Sequence, residues 1–156
     1  MQEKSLYVQC VAADVHRRFG MDQISSMAVD NLGHLWILAA GLGVYRLRIH
    51  DGRVHPVLFP LAIKSSKVSG LALDRNSNTV FVCGGDAIAA VDARTGRVSL
   101  VFDSFAHLRG SHIGFDHFSG DLVLIDDQTC LKRVNVGESS LSTVCEHHNF
   151  KQRHTK

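Results

Sequence analysis

The chain has 156 residues, of which 45% are apolar and 21% charged, with a formal net charge of +2. These values fit one soluble domain with a real core. Three of the basic residues, Lys151, Arg153 and Lys156, fall in the last ten, so the body is close to neutral and lacks the broad basic footprint of a nucleic-acid binder.

The first twenty residues hold no apolar run followed by a cleavage pattern, and no apolar stretch reaches the 18 or so residues of a membrane span. Cys10, Cys83, Cys130 and Cys145 show no CxxC spacing. The expectation is therefore a cytoplasmic protein with reduced thiols.

In chain order, the residues at 5–19 read as two strands, Leu6 to Val11 and Val15 to Phe19, around Ala12, Ala13 and Asp14. The first full unit covers 24–60. A loosely alternating strand ends at Asp30, and Asp30-Asn31-Leu32-Gly33 is a turn. The run from Leu35 to Leu38 is apolar throughout, as in a strand buried on both faces. From Val44 to Ile49 the pattern alternates, with Val44, Arg46 and Arg48 on one face and Tyr45, Leu47 and Ile49 on the other. His50-Asp51-Gly52 marks a hairpin. Pro56 makes the fourth strand an edge strand, where a missing N–H costs no ladder bond.

The pattern returns twice. The second unit, 68–104, runs through Asp74, a central strand from Val80 to Cys83, a third from Ile88 to Asp92, and a turn at Arg94-Thr95-Gly96. The third, 111–146, runs through Asp116, a central strand from Leu122 to Ile125, and two more from Leu131 and Ser142. A polar basic tail occupies 147–156. Asp30, Asp74 and Asp116 are 44 and 42 residues apart, and Leu47, Val91 and Val134 are 44 and 43 apart. Four short strands in a period of about 40–45 residues is the signature of a β-propeller blade. No helical periodicity is sustained, so a βαβ arrangement is disfavoured. The predicted fold is all-β: three four-stranded antiparallel blades plus an N-terminal half-blade, in one repeat domain over 1–146. A closed propeller typically has four to eight blades, so this set is incomplete.

The phrases MAVDNLGHLWILAAGLGVYRL, LALDRNSNTVFVCGGDAIAAVDARTGRV and IGFDHFSGDLVLIDDQTCLKRV resemble the NHL-type propellers and the neighbouring two-component-regulator and SMP-30-like propellers. That resemblance implies a binding platform for protein or RNA. The SMP-30-like relatives include metal-dependent lactonases with acidic and Asn ligands on channel-facing strands. No Glu or Asn stands at matching positions here, so that activity is not carried over.

Candidate chemistry is sparse. Asp30, Asp74 and Asp116 recur at one blade position, which reads as turn chemistry rather than as a metal or acid–base set. Cys145, His147, His148 and His154 fit no closed zinc spacing. The scattered histidines His16, His34, His50, His55, His107, His112 and His117 read as surface residues. Trp36 and Phe81 read as inter-blade core. Gly41-Leu42-Gly43 and Gly84-Gly85 precede no helix that would hold a phosphate. Four basic residues, Arg46, Arg48, Lys132 and Arg133, are the candidates for partner contact. No catalytic, cofactor or metal residue is predicted. The expected role is a non-catalytic scaffold binding a protein partner, with self-association to complete a ring as a further mode. The alternatives are a fragment of a metal-dependent propeller hydrolase whose site lies outside this chain, and an RNA-binding module.

Overall fold

The computed structural model describes residues 23–60, 63, 67–84, 87–102, 112–126 and 130–146. The half-blade expected at 5–19 and the tail at 147–156 lie outside them, as do Cys10, His16, His107, His147, His148 and His154.

Among the described residues, twelve strands form three separate antiparallel sheets of four, each a meander in sequence order. The first sheet holds β1 (Ile24–Val29), β2 (His34–Ala39), β3 (Gly43–Arg48) and β4 (Val54–Pro56). The second holds β5 (Val68–Asp74), β6 (Thr79–Gly84), β7 (Ala87–Asp92) and β8 (Val98–Phe102). The third holds β9 (His112–Asp116), β10 (Asp121–Asp126), β11 (Cys130–Asn135) and β12 (Ser140–Glu146). The described residues thus form three blades of an incomplete β-propeller. Pro56 sits on the outermost strand of its blade, paired only toward Tyr45, as its missing N–H requires.

The sequence register is the structural register. Leu47, Val91 and Val134 are opposite Leu35, Val80 and Leu122 respectively, and all three are fully buried. Burial follows from the alternation of each strand between two blade faces. Trp36, Leu38 and Val44 of blade one pack with Leu71, Val80, Val82, Ala89 and Val91 of blade two. Phe81, Cys83 and Ile88 of blade two pack with Leu122, Leu124 and Val134 of blade three, flanked by Ile113 and Phe115. Phe81 and Phe115 stack across that second joint with centroids 5.6 Å apart. Trp36 and Phe81 are therefore register equivalents, each aimed at the following blade: Trp36 is opposite Ala28, and Phe81 opposite Ala72.

The next position in this series is Val123, opposite Gly114 and Arg133. It is half-buried, and Ile125 on the same face remains 38% exposed. The counterparts of Val123, Trp36 and Phe81, and those of Ile125, Leu38 and Cys83, are buried. At the other end of the series, Met27 and Val29 of β1 are exposed, whereas Leu71 at the same place in β5 is buried. Apolar surface is thus left open at both ends of the three-blade arc.

The third-to-fourth-strand hairpins are built alike. In two of them, glycine adopts φ 69° (Gly52) or φ 75° (Gly96) and donates its N–H to the carbonyl of Arg48 or Asp92. Blade three places Ser139 there, at φ 50°. A left-handed conformation costs an L-residue about 1–2 kcal/mol, partly offset in glycine by its own chain entropy. Ser139→Gly is therefore expected to stabilise the protein by about 0.5–1 kcal/mol, measured as a higher urea midpoint at unchanged slope.

Candidate functional site

The three Asp turns carry most of the polar geometry. Asp74 accepts from the Asn76 N–H and the Ser77 hydroxyl. Asp116 accepts from the Phe118 N–H and the Ser119 hydroxyl. These two are turn chemistry, as their recurrence predicts. The Ser119 hydroxyl, then the Phe118 N–H, hold the Asp116 carboxyl below its ordinary range.

Asp30 does more. It is buried and accepts four bonds: Leu32 N–H at 2.8 Å and His34 N–H at 3.0 Å on one oxygen, His34 Nδ1 at 2.9 Å and the Trp36 indole N–H at 2.8 Å on the other. An ionised carboxylate only accepts, so His34 carries its proton on Nδ1. His34 is consequently not the surface residue its turn position suggested. Its ring is largely buried against Asp30, because the indole fixes the carboxylate where the imidazole can reach it.

The four basic candidates do not form one strip. Arg46 and Arg48 share the face of β3 that looks toward blade two, opposite Trp36 and His34. Lys132 and Arg133 are neighbours on β11 and so face opposite ways. Arg133, the register equivalent of Arg46, lies 3.7 Å from the Asp121 carboxylate. Arg48 donates to Asp51 at 3.2 Å. The Arg46 guanidinium lies over the Trp36 ring, 5.9 Å from its centroid, and donates to the Ala93 carbonyl of blade two at 3.0 Å.

Around Arg46 the two blades leave a cleft of about 470 Å³. Trp36, His55, Pro56, Val57, Phe59 and Pro60 line it from blade one, and Thr95, Gly96 and Val98 from blade two. A second cleft, about 600 Å³, opens between the Asp30 turn and the end of β3, with Leu32, Arg48 and His50 among its walls. Among the described residues, no group of three or more His, Cys, Asp or Glu is placed to hold a metal, and no helix is long and apolar enough to cross a membrane. Cys83 and Cys130 are not joined in a disulfide, and burial pushes the Cys83 thiol up.

One exposed residue escaped the sequence reading. Phe118 is 100% exposed at the tip of the Asp116 turn. Leu32, two residues past Asp30, is also exposed. The signal was the common spacing: the residue two past each Asp is Leu32, Asn76 or Phe118, and its N–H is tied back to that Asp in all three turns.

No protein-family model matches the sequence, and no curated protein matches it. Solved structures do match in fold. The extracellular domain of BT4673 from B. thetaiotaomicron superposes with a TM-score of 0.63 at 18% identity, over 88% of this chain and 18% of that one. The β-propeller domain of Cps50 (Swd1) from Myceliophteria thermophila gives 0.59 at 10% identity, over 78% and 38%. U3-55K gives 0.62 at 20% identity, over 81% and 40%. The chain thus spans between 18% and 40% of the length of these structures, and the likeness is one of propeller fold.

Proposed function

We propose that this chain is a non-catalytic, NHL-like propeller module that binds a protein partner through the turns joining the first and second strands of its blades, in the cytoplasm, where Cys83 and Cys130 stay reduced. The observation that carries this reading is Phe118. Burying a wholly exposed aromatic against a partner removes a large apolar area from water. Here it stands on a turn already locked by two bonds to Asp116, so little conformational freedom is lost when a partner takes it up. Aromatic side chains on rigid supports are the usual energetic anchors of protein interfaces.

A photo-reactive phenylalanine analogue at position 118 is expected to cross-link one discrete protein on irradiation in cells. The same analogue at Leu42, which is exposed on the turn between β2 and β3, serves as the control and is expected to give no such adduct. Identical adducts at both positions, or none at 118, would sink the reading. An adduct with a second copy of the chain would identify self-association as the mode, in keeping with the open apolar ends at Met27, Val29 and Ile125.

A further inference from the structure

The cleft between blades one and two goes beyond the turn surface, although it rests on the same reading of the chain as a protein-binding module. Arg46 is the reason. The residue is half-buried, and its guanidinium lies over Trp36 and is bonded to one neutral acceptor, the Ala93 carbonyl. Among the described residues no carboxylate lies within ion-pair distance of it, whereas Asp51 serves Arg48 and Arg53, and Asp121 serves its register equivalent Arg133. A guanidinium presents five donors in a planar fork, and one carbonyl leaves room for a bidentate acceptor.

The walls describe the rest of the ligand. Pro56, Val57, Phe59, Pro60 and Val98 are apolar, and His55 is opposite Arg46 on the neighbouring strand. The volume, about 470 Å³, lies within the roughly 300–1,000 Å³ of sites that accept small ligands or short peptide segments. A phosphodiester chain needs a row of cations and gains little from proline and valine walls.

We propose that this cleft is a peptide-docking site that takes an Asp or Glu carboxylate on Arg46 and an adjacent apolar side chain against Val57, Phe59 and Pro60. The acidic segment belongs to a partner protein. Stacking on Trp36 pre-organises the fork, so the side chain does not have to be ordered when the carboxylate arrives.

Trp36 is the only tryptophan in the chain and lies directly beneath the guanidinium, so intrinsic fluorescence reports on the site. Titration with N-acetyl-leucyl-aspartyl-amide is expected to give a saturable change, and the asparaginyl analogue one at least roughly tenfold weaker, the loss that follows from removing a charge-assisted bidentate pair. Arg46→Gln is expected to abolish the difference between the two peptides. Arg46→Lys should keep part of it, and Arg48→Gln should leave it intact. Equal titration by the two peptides, or an undiminished preference in Arg46→Gln, would overturn the proposal. Tighter binding of a uridine oligonucleotide than of the aspartyl peptide would also overturn it, in favour of a phosphate site. The peptide comparison is made on the unaltered chain and so does not depend on any variant folding. Failure here with a positive cross-link at 118 would remove the cleft and leave the interaction module standing.

Discussion

Replacing Asp30 with Asn is expected to cost about 3 kcal/mol of stability and to lower the melting temperature by roughly 9 °C. The carboxylate satisfies four donors, two of them on each oxygen. Asn offers one oxygen and puts an NH₂ in place of the other. If the oxygen stays on the backbone N–H groups, the amide nitrogen confronts the Trp36 indole N–H and the His34 ring N–H, both donors. The indole is fully buried, so no water replaces the lost acceptor, and an unsatisfied buried donor is worth about 1–3 kcal/mol. Asp74→Asn is the internal comparison. Its two partners are exposed, so the loss there is expected to be under about 1 kcal/mol.

The same network fixes a pH dependence. Burial pushes the Asp30 carboxyl up, but the bonds from the Trp36 ring, from the backbone and ring of His34 and from Leu32 outweigh it and hold the group below its ordinary 3.8. A carboxylate depressed in the folded state binds fewer protons folded than unfolded. Its contribution is therefore fully present above about pH 4 and fades as pH falls through the lower folded value. Stability measured from pH 7 down to pH 2 should show the gap between the parent and Asp30→Asn closing only below about pH 4. A gap that is constant with pH would mean that the carboxylate's charge plays no part in the network.

Much of the fold is legible in the sequence because a propeller blade repeats its constraints. Three separate markers recur at nearly one period: the turn Asp, the fully buried third-strand residue, and the hairpin glycine. Each has a local cause, so drift in one does not hide the others. Ser139 shows this, since it stands where Gly52 and Gly96 stand and leaves the hairpin intact. The candidate site was less legible. Arg46 and Arg48 alternate on one strand, and that parity held. But Arg46 matters through Trp36, ten residues away, and through Ala93, in another blade, and no local pattern joins those three. His34 misled for a related reason: a histidine after a turn is usually in water, and only the Trp36 bond to Asp30 draws it inward. Phe118 was visible in the spacing, but its exposure depends on how the turn is aimed.

Gly70→Ala is expected to cost about 2–3 kcal/mol, the effect of overpacking at a joint that is already closed. Gly70 lies on β5 at an irregularity in its pairing with β6. A methyl group there would sit 2.7 Å from the Cys83 sulfur, 2.8 Å from Ile113 Cγ2 and 3.3 Å from the Ile113 backbone nitrogen. The first two distances are inside van der Waals contact. Ile113 belongs to the first strand of blade three, so the methyl would push the first strands of blades two and three apart. That movement would also loosen the packing around Phe81, Leu122 and Leu124 behind it. Removing the sulfur gives the strand somewhere to go: in a Cys83→Ala background, Gly70→Ala should cost about 1 kcal/mol less, a non-additivity that neighbours in contact show and distant sites do not. Urea unfolding of the four chains measures it. Strict additivity would place the strain on Ile113 alone, and a neutral Gly70→Ala would mean that the two strands do not approach as closely as this joint requires.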